Sequence, residues 1–85
     1  MPIISRFFGI IIMMYWRDHS PPHFHAKYGD FEVEVEIKSG ATLGYLPPRA
    51  LGLVHEWREI HKDELLEDWR RAETKRELKK IKPLE

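Results

Sequence analysis

The chain has 85 residues, no cysteine, and 14 basic against 14 acidic side chains, so its formal net charge is zero with its five histidines neutral. That length suits one domain, spanning 1–85, with a small core that a partner or a second copy would help to stabilise. The lack of cysteine excludes disulfides and thiolate zinc sites and fits a cytoplasmic protein, and the charge balance excludes a whole-protein attraction to nucleic acid.

The chain opens on Ile3 and Ile4, followed by an apolar run from Phe7 to Trp16 interrupted only by Gly9. The run is too short for a bilayer span, which needs about 20 residues. Arg6 imitates the start of a signal peptide, but no small-residue cleavage site follows and Arg17-Asp18-His19 comes directly after. Neither a membrane span nor a leader is expected. Ile10 to Trp16 reads as a buried strand covered on both faces, a pattern that hints at self-association as a homodimer.

A loop over Arg17 to Pro22 leads into Asp18-His19-Ser20-Pro21-Pro22-His23-Phe24-His25, which holds three of the five histidines. Tyr28-Gly29-Asp30-Phe31 then supplies a two-residue hairpin turn. That turn sets a register. Tyr28 opposes Phe31, Ala26 opposes Val33 and Phe24 opposes Val35 on an apolar face. Lys27 opposes Glu32, His25 opposes Glu34 and His23 opposes Glu36 on a polar face. Lys38 to Gly40 reads as a turn, and Ala41 to Leu46 as a short fourth strand.

Pro47-Pro48 opens a helix. Ala50, Leu53, Val54, Trp57 and Ile60 recur at helical spacing as far as His61. Asp63 reads as the N-cap of a second helix, with Leu65, Leu66, Trp69 and Ala72 as its stripe. The expected fold is α+β: an antiparallel meander of three to four strands (about 8–46), then two C-terminal helices (about 48–76) on one face, and a short tail over 77–85. Trp16, Trp57 and Trp69 read as core anchors.

His23 and His25 are two apart in a strand and so share a face. They are the candidate metal ligands, with His19, Glu34 or Glu36 completing the set around a divalent ion such as zinc or manganese. The same His19, Glu34 and Glu36 are the candidate catalytic groups if the metal activates water in a small nuclease or phosphodiesterase. The competing reading is a row of cross-strand pairs facing solvent or a partner, with Lys27, Glu32, Glu34 and Glu36 as contacts. Three glutamates on that face disfavour stacking of RNA on the sheet. Nucleic acid is expected only through the basic segment 70–82, where Arg70, Arg71, Lys75, Arg76, Lys79, Lys80 and Lys82 outnumber Glu73 and Glu77. His55 and His61 are six apart, share no helical face, and read as border residues. No Gly-rich phosphate loop or serine nucleophile elbow is present.

Pro2-Ile3-Ile4-Ser5-Arg6-Phe7-Phe8-Gly9-Ile10, the stretch from Asp18 to Ala26, Leu46-Pro47-Pro48-Arg49-Ala50-Leu51, Glu56-Trp57 and the closing Ile81-Lys82-Pro83-Leu84 together resemble a bacterial family known as domain of unknown function 4160. The resemblance covers nearly the whole chain. It implies a small cytoplasmic bacterial protein encoded beside a second small protein, in an arrangement similar to toxin–antitoxin pairs. It carries no catalytic residues over. The expectation is thus a partner-binding component of such a pair with a His/Glu functional face, and the enzyme is the alternative.

Overall fold

A computed structural model describes residues 2–85. Five antiparallel strands form one sheet in sequence order: β1 (Ile3–Phe7), β2 (Ile10–Met13), β3 (His23–Tyr28), β4 (Phe31–Glu36) and β5 (Thr42–Gly44). One helix, α1 (Pro48–Glu73), follows. The α+β class holds, but the strands number five, not three to four, and the helices one, not two.

The extra strand comes from the apolar opening. Phe8 and Gly9 both take positive φ, at 49° and 81°, which suits the two-residue hairpin turns whose twist matches their strands. Phe7 pairs with Ile10 across that turn. The run expected as one strand thus folds back on itself. Phenylalanine at a left-handed position carries no turn signal, which is why the sequence does not announce the hairpin. Ile10, Ile12, Met13 and Met14 are all buried within the single chain.

The β3–β4 hairpin has the register expected from its turn, from Tyr28 opposite Phe31 to His23 opposite Glu36. A one-residue slip would expose Phe24, Ala26, Val33 and Val35, all of which are buried. Strand β5 is shorter than the Ala41–Leu46 expected. It approaches β4 so closely that a Cβ on Gly44 would lie 2.6 Å from the Glu32 carbonyl oxygen.

The helix lays Ala50, Val54 and Trp57, then Leu65, Trp69 and Ala72, against the rest of the chain. The indole of Trp57 packs on Phe7 and Phe24, with ring centroids 5.4 and 5.7 Å away. The expected break between two helices is a kink. His61 alone leaves helical geometry (φ −116°, ψ 24°), and Asp63 lies inside the helix instead of capping it. Ile60, expected in the stripe, precedes the kink and lies at the edge of the Ala50–Val54–Trp57 face, 61% exposed. Trp16, expected in the core, is 46% exposed.

The tail docks. The Ile81 N–H donates to the Ile4 carbonyl on the outer edge of β1, and the Lys82 carbonyl accepts from the Trp57 indole at 2.9 Å. The Lys79 N–H donates to Oδ1 of Asp68, which is buried with its Oδ2 lacking a hydrogen-bond partner. Burial pushes the Asp68 carboxyl above its ordinary range, against the Lys79 N–H and the Arg71 charge; Glu67 and Glu64 reinforce the rise. A raised carboxyl binds its proton more tightly when folded. It therefore costs stability as pH climbs above the ordinary carboxylate value, and nothing below it. Asp68→Asn keeps an acceptor for Lys79 and removes the buried charge. Thermal melts are expected to show this variant more stable than wild type at pH 7, with the gain vanishing in acid. A variant less stable at neutral pH would contradict this account.

Candidate metal centre

Strand alternation puts His23, His25, Glu32 and Glu34 on the sheet face opposite Phe24 and Val35. The loop between β2 and β3, which contains a cis Ser20–Pro21 peptide, returns over that face and delivers Asp18 and His19.

Asp18 is the hub. Its Oδ2 lies 2.9 Å from Nε2 of His23 and 3.2 Å from Nε2 of His25, and its Oδ1 lies 2.9 Å from Nδ1 of His19. Glu34 Oε1 is the second focus, at 3.1, 3.8 and 3.9 Å from the Nε2 atoms of His23, His19 and His25. One donor atom each from Asp18, His19, His23 and Glu34 fall within 4.8 Å of one another. Burial pushes the Asp18 carboxyl up, but the His19 N–H, the hydrogen bonds from His25 and His23 and the charge on His23 outweigh it. The carboxyl is held at about 2, ionised throughout the physiological range.

His23 is 4% exposed, its ring 5.2 Å from the Trp69 indole. It is thus a buried group, unlike the solvent-facing row that the sheet pattern allows. Its Nδ1 lies 2.8 Å from the Pro21 carbonyl, which only accepts, so Nδ1 carries a proton. That bond orients the ring and aims Nε2 at two carboxylate oxygens. His25 is wedged beside it, with the Tyr15 ring centroid 4.5 Å away and the two ring planes near perpendicular, at 77°. Its Nδ1 is buried 3.5 Å from Glu32 Oε2 in a geometry that makes no hydrogen bond. Burial, followed by the charges of Glu32 and Asp18, raises the Tyr15 hydroxyl, which therefore keeps its proton at neutral pH.

Among the expected site residues, His19, His23, His25 and Glu34 converge. Glu36 is outside the cluster, its carboxylate accepting from the Ser39 hydroxyl at 2.8 Å, but it lines one cleft of about 150 Å³ together with His19, His23 and Glu34, closed by Pro21, Ala41, Thr42 and Leu43. Lys27 and Glu32 are exposed further along the hairpin. Sequence reasoning does not single out Asp18, although it sits beside His19 in the histidine-rich stretch, nor Tyr15 at the end of the apolar run. Their reach onto the sheet depends on the loop's path. His55 and His61 stay on the helix, with the His61 ring 5.5 Å from Trp57.

Among the described residues, no helix is long and apolar enough to cross a membrane. Comparison with curated proteins and with solved structures finds no match. A family model described as domain of unknown function (DUF4160) matches residues 9–70, which include the loop, the hairpin and most of the helix, and the chain belongs to that family.

Proposed function

We propose that this protein binds a divalent transition-metal ion between Asp18, His23 and Glu34, with His19 and His25 as the remaining donors. One observation carries the reading. With Nδ1 committed to the Pro21 carbonyl, a neutral His23 ring would present a lone pair to carboxylate oxygens at 2.9 and 3.1 Å. Lone pairs so placed repel unless a cation lies between them. A proton on Nε2 serves one oxygen well; a metal ion serves both, together with the other imidazoles. A second-sphere carbonyl fixing the tautomer is also the usual arrangement behind a metal-bound histidine. Ligand distances of about 2.0–2.2 Å imply edges of roughly 3–3.6 Å between tetrahedral ligands, and the separations of 2.9–3.9 Å surround that range. Mixed imidazole and carboxylate donors suit zinc, manganese or a neighbouring metal.

Elemental analysis of untagged protein, followed by titration of the stripped protein with zinc and manganese, tests the reading. Near-stoichiometric metal, or saturable binding that raises the melting temperature, is the expected result. Protein that is isolated metal-free and shows no binding or stabilisation would leave His23 as a buried protonated ion pair. In the hydrolytic extension of this reading, the ion would supply an activated water in the cleft, and Glu36, which lines it without being a ligand, would orient or deprotonate that water. No lysine or arginine lines that cleft, so the ion itself would have to attract a phosphodiester. Cleavage of RNA or single-stranded DNA that survives loss of His23 would exclude this extension.

A different observation favours a protein partner. Phe8, Tyr28, Phe31 and Tyr45 are exposed, and the Phe31 and Tyr45 rings meet at 5.4 Å. A groove of about 360 Å³ runs between Phe8, Tyr28, Pro47 and Leu53. Such a surface suits the second small protein of a toxin–antitoxin-like pair in the bacterial cytoplasm. Co-expression with the neighbouring gene product tests this; two proteins that never co-purify would remove its basis.

A further inference from the structure

We infer that Trp16, Arg17 and the basic end of α1 form a binding strip for a single-stranded polynucleotide. The inference does not rest on the metal centre, because it uses a different surface.

Trp16 carries it first. A tryptophan placed to fill the core would be buried, yet this one is 46% exposed. It is pinned to the surface, its Nε1 donating to the Arg76 carbonyl at 3.0 Å across a sequence separation of 60. The next residue is anchored as well: the Arg17 N–H donates to the Ala72 carbonyl at 3.3 Å. These two bonds set the loop against the end of the helix and gather an aromatic ring and several cations on one surface.

The charges there are available. Glu67 engages Arg70 and Arg71. Among the described residues, Arg17, Lys75 and Arg76 make no ion pair with a carboxylate, and all three are exposed, with Nε of Arg76 donating to the Thr74 hydroxyl; Lys79 instead lines a cleft with Asp63, Glu64, Glu67 and Asp68. A strip with one open indole and three cations free of ion pairs matches what a single strand offers, namely unstacked bases with π-faces and a phosphate at each step. A duplex keeps its bases stacked and would leave the indole unused. An acidic peptide would satisfy the cations and likewise ignore the ring. RNA and single-stranded DNA share the chemistry, and the test separates them.

The experiment is fluorescence anisotropy of short labelled oligo(U) and oligo(dT) with the full chain, over a series of salt concentrations. Binding to either strand is expected, with a log–log salt slope of about −2 if three phosphates are neutralised. Trp16→Ala is expected to weaken binding about tenfold, and Trp16→Phe much less. Lys75→Glu/Arg76→Glu is expected to abolish it at moderate salt; Arg17→Glu provides a second reversal should the first disturb the fold. A preference for oligo(U) or for oligo(dT) would identify the natural strand. Absence of binding at low salt would overturn the proposal. So would binding that both reversals leave intact, or equal binding of labelled polyglutamate. Metal titration of the same samples is read separately, so either proposal can fail alone.

Discussion

His23→Ala is expected to reduce affinity for zinc or manganese at least about 100-fold, since even partners behind a metal ligand are worth 10–100-fold. His23 gives the site its only imidazole that is both nearly fully buried and locked in tautomer by a backbone carbonyl. Alanine removes the donor and also strands Asp18 and the Pro21 carbonyl. The metal-free variant should therefore lose about 1–3 kcal/mol of stability. The two effects separate in one set of melts. Metal at a hundredfold excess over its dissociation constant stabilises a folded protein by about 2.7 kcal/mol. In a domain of this size that corresponds to a rise of roughly 10 °C or more in wild type. The variant should melt lower and show no such rise. A folded His23→Ala protein that binds metal as tightly as wild type would remove His23 from the site and the proposed centre with it.

Trp57→Ala should have the largest effect on the fold itself. The indole is fully buried between Phe7 of β1 and Phe24 of β3, so it joins the N-terminal hairpin, the sheet centre and the helix. Deleting a buried tryptophan costs about 3–5 kcal/mol. It also removes the hydrogen bond that holds the tail through the Lys82 carbonyl, worth about 1 kcal/mol. Small domains have about 5–15 kcal/mol in total. The variant should therefore show a broad or missing transition in urea and a weakened near-ultraviolet signal. Trp57→Phe keeps most of the packing, loses the indole N–H, and should retain a cooperative transition at lower denaturant. Equal damage from both variants would assign the role of Trp57 to its hydrogen bond instead of its volume.

The two variants bear on different parts of one design. Trp57 organises the face of the sheet under the helix, and His23 belongs to the opposite face, where the loop folds over. The kinked helix links them, since Trp69 lies beyond His61 and reaches the His23 ring.

The sequence by itself determined what depends on neighbours along the chain. Alternation from His23 to Glu36 about the Gly29-Asp30 turn specifies the hairpin and every cross-strand partner in it, because a slip of one residue would bury its charges. Helical spacing likewise marks the stripe of Ala50, Val54, Trp57, Leu65, Trp69 and Ala72, which are buried, with Leu53 and Leu66 partly buried at its border and Ile60 exposed. The α+β order of elements and the shared face of His23, His25 and Glu34 follow from the same periodicities. Tertiary structure decided the rest. Asp18 becomes the hub of the histidine cluster only because the loop folds back over the sheet, and no periodicity encodes the path of a loop. Trp16 is exposed and Phe8 turns the chain although both look like core residues, since burial is settled by which surface arrives to cover a side chain. Local spacing says which residues lie together on an element; only the packing of elements says which of those faces meet.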